Sequence, residues 1–218
     1  MKYETVIGLE VHVELATQSK IFCSCSAHSS GAEPNEHVCP ACCGMPGMLP
    51  VTNKHAIELA VKAGFMLNCK INQYTTFDKK SYYYPDLPCA YQITQWFHPI
   101  CVDGTVEIGE RKIGIKQIHL EEDAGKLVHD EATNTSFVDF NRTSVPLIEI
   151  VSKPDFRSSE EVITYLKKLK SALQFAGISE CEEGAMRCDV NISVRPEGTE
   201  AFGVRSEIKN MTSFESIE

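Results

Sequence analysis

From Val6 to Leu15 the chain reads VIGLEVHVEL, and this alternation constrains the fold more than any other stretch. Read with period two, Ile7, Leu9, Val11 and Val13 fall on one face, and Gly8, Glu10, His12 and Glu14 on the other. That is a strand over Thr5 to Val13 with one face in a core and one face open. Glu, His and Glu on three successive outward positions raise the question of whether the open face is simply wet or holds a ligand.

The same alternation recurs. In KIGIKQIHLEED, Ile115, Gln117, His119 and Glu121 are expected on one side and Ile118 and Leu120 on the other. In MRCDVNISVRP, Met186, Cys188, Val190, Ile192 and Val194 face one way, and Arg187, Asp189, Asn191, Ser193 and Arg195 the other. In VRSEIKN, Arg205, Glu207 and Lys209 share a face. SVPLIEIVS reads as a further strand that begins at a sheet edge because of Pro146. VDGTVEI reads as a turn between short strands, and FDKKSYYYPDLPCAYQITQ as loop and short strand. Two helices interrupt the strands. The first has Thr52 or Asn53 as N-cap and a buried stripe of Ile57, Ala60, Val61, Gly64 and Phe65. The second runs from Glu160 to Ala176, with a Ser158–Glu161 capping box, a stripe of Val162, Ile163, Leu166, Leu169 and Leu173, and Gly177 as its stop. SFESIE, at the end of the chain, reads as the start of a third helix. Strands in groups split by two helices predict an α+β fold, with a mostly antiparallel sheet and flanking helices.

At 218 residues, 43% of them apolar, the chain can bury one sizeable core. Its apolar runs are too short to span a bilayer. The opening MKYETVIGLEVHVEL is not a secretory leader, so the expected location is cytoplasmic. A net charge of -9 argues against a broad nucleic-acid surface and suits a carboxylate site that holds a cation.

Ten cysteines in such a chain read as metal ligands or reduced core residues. Cys23 and Cys25 form C-x-C, and Cys39 and Cys42 form C-x-x-C within the Cys-, Gly- and Pro-rich loop 22–50. Two close pairs on loop backbone can close tetrahedrally on zinc, a filled and therefore structural site. The alternative is a set of free thiols. Cys69, Cys89, Cys101, Cys181 and Cys188 lack paired spacing and read as core.

Each polar face alone reads as solvated. Together they suggest one sheet whose open face carries Glu, His, Asp and Arg. Carboxylates there suit Mg²⁺, which bridges protein to nucleotide phosphates, and Arg supplies a bidentate phosphate clamp. Neither a Walker A sequence nor G-x-G-x-x-G is present. In DKKSYYYPD, Lys79 and Lys80 are candidates for phosphate or an acidic substrate, and Tyr82 to Tyr84 either stack on a base or pack.

Seven ordered segments carry a resemblance: VIGLEVHVEL, CPACCGMPGMLPVTN, FDKKSYYYPDLPCAYQITQ, HLEEDAGK, DFNRTSVPLIEIVSKPD, MRCDVNISVRP and EIKNMTSF. Running from Val6 to Phe214, they resemble the GatB family, the B components of aspartyl/glutamyl-tRNA amidotransferases. The archaeal GatE proteins share the opening motif, while the tyrosine-rich and PLIEIVS segments look closer to GatB. The resemblance implies a single catalytic "cradle" over 1–218, similar in fold to glutamine synthetase and guanidino kinases, with a zinc knuckle inserted at 22–50. Helical and tail domains that grip tRNA are expected beyond it. It implies ATP-dependent phosphorylation of the side-chain carboxylate of Glu-tRNA(Gln) or Asp-tRNA(Asn), then amidation by ammonia from a GatA-like glutaminase, with a small GatC-like protein clasping the two.

By that resemblance, Glu10, His12, Glu121, Asp189 and Glu207 are expected at magnesium and the ATP phosphates. Glu122, on the opposite phase, is expected to take a proton from ammonium at the end of the ammonia path. Lys79 and Tyr82 are expected to line the channel or acceptor end, and Arg187, Asn191 and Arg142 to meet phosphate or the substrate carboxylate. Cys23, Cys25, Cys39 and Cys42 match the zinc knuckle of some members. The rival readings are a zinc-stabilised scaffold that only docks the glutaminase, and a GatE-type cradle restricted to Glu-tRNA(Gln).

Overall fold

The structure, a computed structural model, describes residues 2–29, 31–182 and 184–211. The helix expected at SFESIE lies outside them. In chain order the elements are β1 (Tyr3–Glu14), α1 (Lys54–Met66), β2 (Lys70–Ile71), β3 (Asp78–Ser81), β4 (Tyr91–Thr94), β5 (Cys101–Ile108), β6 (Arg111–Glu122), β7 (Lys126–Asp130), β8 (Thr135–Asp139), β9 (Pro146–Ser152), α2 (Ser159–Phe175), β10 (Met186–Pro196) and β11 (Ser206–Met211). Seven strands form one sheet in the order β11-β10-β1-β9-β6-β5-β2, and β3–β4 and β7–β8 are separate hairpins. Every paired strand runs antiparallel to its neighbour.

One face of the large sheet is the core. Ile7, Leu9, Val11, Val13, Ile118, Leu120, Ile148 and Ile150 are buried there, together with Leu59 and Ala63 of α1 and Val162, Leu166 and Leu173 of α2. The opposite face carries the ionisable residues. Among the described residues no helix is long and apolar enough to cross a membrane.

Local chemistry explains the elements, and in several places it departs from the period-based expectation. Asn53 caps α1, its side chain accepting from the His55 N–H at 2.9 Å. The buried stripe of α1 is rotated, however, to Ala56, Leu59, Ala60, Ala63 and Gly64, and Phe65 points to solvent. The helix lies so close to the sheet that a Cβ on Gly64 would collide with the Cys101 sulfur, so the inward face needs small residues. VDGTVEI is continuous strand inside β5. Asp103 takes a positive φ there, and Gly104 leaves room for Cys69 and the Leu67 carbonyl, so the pair makes a close approach. In β6 the register shifts between Ile115 and Gln117. That bulge sends Ile115 into the core with Ile118 and Leu120, away from the His119 face. Finally, β9 lies at the centre of the sheet. Pro146 is its first residue, where a missing N–H breaks no ladder bond.

Helix α2 follows its pattern. Ser158 accepts from Glu161 N–H, and Gly177, at φ 61°, lets Ile178 N–H reach the Leu173 carbonyl. Within the stripe Tyr165 is buried in place of Ile163 and packs edge-on against Phe156 at 5.1 Å.

Candidate functional site

The strand order places the polar faces side by side. In register, His12 lies opposite Arg187 on one side and Glu149 on the other, and Glu149 lies opposite His119. Glu10 lies opposite Asp189, and Asn191 opposite Glu207. Residues paired across antiparallel strands share a face, so this is one surface running from β11 to β6.

The surface divides into two adjoining clusters. Donor atoms of His12, Glu121 and Glu149 lie within 4.8 Å of one another, and so do those of Glu10, Asp189 and Glu207. Octahedral magnesium at about 2.1 Å places neighbouring donors about 3 Å apart and opposite ones about 4.2 Å apart, a spacing both clusters accommodate. Around the first cluster, His12 Nε2 is 3.4 Å from Glu149, His119 Nε2 is 2.9 Å from Glu149, and Thr94 donates to Glu121 at 3.1 Å. Around the second, Asn191 donates to Glu10 at 3.0 Å and Asn210 N–H to Asp189 at 2.8 Å. The buried Asn191 Oδ1 has no hydrogen-bond partner among the described residues. Beside this cluster Lys116, Pro154, Asn191, Phe202 and Arg205 line a cleft of about 360 Å³.

Crowding of like charge shows in the titration of these groups. Burial, followed by the Glu149 charge, pushes the Glu10 carboxyl up. Burial pulls the His119 imidazole down, but hydrogen bonds to Glu121 and Glu149 outweigh it and raise the group to about 9. Glu149 is lowered despite its burial, because His119 donates to it. These are the signs of an anionic pocket suited to a cation.

Glu122 lies on the other phase of β6, as its position predicts. Its carboxylate accepts from Ile93 N–H at 2.9 Å and Ser144 Oγ at 2.6 Å, and burial pushes it up. With Cys42, Met45, Leu87 and Tyr91 it lines a separate cavity of about 230 Å³.

The remaining candidates fall elsewhere. Arg187 donates to the buried Asp123 at 2.6 Å, and Arg142 lies 3.6 Å from the same carboxylate while bonding the Ala124 and Gly125 carbonyls. Both guanidiniums are thus engaged within the fold. Glu14 belongs to this group, raised to about 7 by burial and then by Asp123. Lys79 sits over the Tyr91 ring at 4.6 Å, whereas the charge of Lys80, its neighbour on the other face of β3, reaches Glu149. Tyr82 is half-exposed and leans on Tyr84.

The sulfurs of Cys23, Cys25, Cys39 and Cys42 also converge within 4.8 Å. The Cys39 and Cys42 sulfurs are 3.8 Å apart, and a tetrahedron with Zn–S bonds of about 2.3 Å has edges of about 3.8 Å. Turns over Cys39–Gly44 shape the knuckle, and Cys39 N–H donates to Cys42 Sγ at 3.1 Å.

One residue of the first cluster, Glu149, was not expected from the sequence, and its partner His119 was expected on this polar face without a role. The signal for Glu149 was its charge, alone in the apolar run VPLIEIV. Asp123 had none beyond its place after the acidic pair Glu121–Glu122.

An antiparallel sheet with one face under helices and two clusters of ionisable residues on the other defines the chain as an α+β domain whose open sheet face carries the candidate site. The model of the GatB/GatE catalytic domain matches residues 5–218, and the chain belongs to that family. A protein of Caldicellulosiruptor saccharolyticus, named as the B subunit of aspartyl/glutamyl-tRNA(Asn/Gln) amidotransferase, is 58% identical over 223 residues, covering 100% of this chain and 46% of its own length. Proteins of the same name from Thermodesulfovibrio yellowstonii and Brevibacillus brevis are 57% and 56% identical, over 100% of this chain and 47% and 46% of theirs. The chain thus spans about half the length of the curated relatives it matches.

Proposed function

We propose that this chain is the phosphorylating and amidating half-site of a cytoplasmic tRNA-dependent amidotransferase, acting on Glu-tRNA(Gln) or Asp-tRNA(Asn) with GatA-like and GatC-like partners. The observation that carries the reading is the pair of acidic clusters, His12–Glu121–Glu149 and Glu10–Asp189–Glu207, side by side on one sheet face beside a cleft with Lys116 and Arg205.

The chemistry explains why such a face is needed. A carboxylate resists ammonia because its leaving group would be oxide. Attack of the carboxylate oxygen on the γ-phosphorus of ATP, with ADP leaving, forms an acyl phosphate. Ammonia then bonds to the carbonyl carbon, inorganic phosphate departs with the C–O electron pair, and the nitrogen gives one proton to that phosphate to leave the neutral amide. Phosphoryl transfer is mostly positioning and charge stabilisation. Magnesium held by the two clusters would supply that charge at the phosphates. Lys116 and Arg205 stand at the cleft to meet the remaining phosphate charge. Asn191 holds the Glu10 carboxylate in place. Glu122, raised by burial and backed by Ser144, is the acceptor for the proton that ammonium must lose, and its cavity is the end of the ammonia path. Lys79 and Tyr82 flank the acceptor end on the β3–β4 side. Cys23, Cys25, Cys39 and Cys42 hold zinc, which has no open position and serves the fold of the loop.

The test is made in the assembled complex with the glutaminase. Glu10→Gln and His12→Ala should abolish ATP-dependent phosphorylation of Glu-tRNA while glutamine hydrolysis by the partner persists. Full transamidation by either variant would sink the assignment. Wild-type protein that docks the glutaminase but never binds Mg-ATP would leave the scaffold reading.

A further inference from the structure

Lys20 is completely buried, which is rare for a lysine. Its Nζ has three acceptors: the His37 carbonyl at 2.8 Å, the Phe140 carbonyl at 3.2 Å and the Cys42 sulfur at 3.6 Å. None of these is a carboxylate. A buried ammonium without a counter-charge is strongly unfavourable, so the anion opposite Lys20 must come from the sulfur cluster.

We propose that Lys20 is the built-in counter-cation of the four-cysteine metal centre, donating to the Cys42 thiolate and clamping the loaded knuckle to the chain at Phe140. The inference rests on the zinc reading given above and adds to it. Zinc with four thiolates carries a net charge of minus two. That charge, sunk among loop residues, needs compensation, and Lys20 halves it. The placement also explains a division of labour in the ammonium. One N–H satisfies the metal ligand. The other two tie the 22–50 loop, through His37, to the segment after β8, through Phe140. That segment continues directly to Ser144, whose carbonyl accepts from Ile21 N–H at 2.9 Å and whose hydroxyl donates to Glu122. Lys20 thus joins the metal centre mechanically to the wall of the Glu122 cavity. Groups outside the ligand shell that orient or neutralise it typically shift metal affinity by about 10–100-fold.

The experiment uses the full chain. Zinc content of reduced wild-type protein is measured first, and about one equivalent is expected; none would overturn the zinc reading itself. Zinc dissociation constants are then compared by chelator competition for wild type, Lys20→Met and Lys20→Gln. The glutamine keeps hydrogen-bond donors and removes only the charge. Both variants should bind zinc at least about tenfold more weakly, and their cobalt-loaded forms should show sulfur-to-cobalt charge transfer at longer wavelength, because a thiolate without its donor is easier to oxidise. Wild-type affinity and an unshifted band in Lys20→Gln would overturn the proposal. Should neither variant fold, nitrogen NMR on the wild type decides. Solvent exchange of the Lys20 ammonium should be slow in metal-loaded protein and faster after chelation, and equal exchange in both states would overturn it.

Discussion

Glu149 is the residue on which the first cluster turns. It meets His12 from one neighbouring strand and His119 from the other, and it lies within donor range of Glu121. Glu149→Gln keeps the shape and removes the anion. In the assembled complex this variant should need at least about tenfold more magnesium for half-maximal phosphorylation, read from magnesium titration at saturating ATP. An unchanged requirement would remove Glu149 from the metal set. The histidine beside it makes a second prediction. His119 is raised from 6.5 to about 9 in the fold, so its contribution to stability is complete below about pH 6.5 and is lost as pH rises through 9. Glu14, raised from 4.5 to about 7, acts with the same sign: its stabilising proton is held at low pH and lost through 7. The stability difference between chelator-treated wild type and His119→Gln should therefore fall from about pH 6.5 to 9, by on the order of 3 kcal/mol. Urea midpoints of both proteins at about pH 6, 7.5 and 9 measure this. A difference that grows with pH would contradict the assignment.

At the scale of elements, close approach between α1 and the sheet is the least forgiving feature. Gly64 faces the Cys101 sulfur and the Ile71 side chain with no space for a methyl group. Gly64→Ala should cost about 1–3 kcal/mol through overpacking, although alanine is the better helix former. Phe65→Ala, one residue on but exposed, should change stability by no more than about 0.5 kcal/mol. Equal urea midpoints for the two variants would show that the helix sits differently. The pair also explains why periodicity misplaced this stripe. A hydrophobic count gives weight to Phe65, whereas the sheet demands small volume. In β6 and β5 the same limit applies: the bulge after Ile115 and the close approach at Asp103–Gly104 change the phase by one residue, which a strict period-two count cannot see. By contrast β1 lay open in the sequence, because no bulge interrupts its core-facing pattern, and α2 did so for its caps and for all of its stripe but Ile163.

For the whole molecule, the four-cysteine knuckle, holding zinc as proposed, is the staple between loop 22–50 and the rest of the fold. Asn141 accepts from His37 N–H at 2.8 Å and donates to the Glu33 carbonyl at 2.7 Å, and Lys20 binds both sides. Removing the metal should lower the melting temperature by several degrees and expose 22–50 to protease ahead of the sheet. Simultaneous cleavage throughout, or an unchanged melting point, would deny the loop its metal-dependent order.

The amino-acid sequence by itself determined which residues share a strand face, because side chains alternate with a period set by the backbone alone. It likewise determined that two cysteine pairs lie close enough in the chain to share a metal, and its motifs placed the chain in its family. Which faces become neighbours was decided only by the tertiary structure. Placing β9 between β1 and β6 brings Glu149 into the site beside Glu121, the pairing of β1, β10 and β11 gathers Glu10, Asp189 and Glu207, and the fold commits Arg187 to Asp123. The physical reason is that strand order minimises exposed apolar area across the whole sheet. That is a sum over contacts distant in the chain, and no local pattern records it.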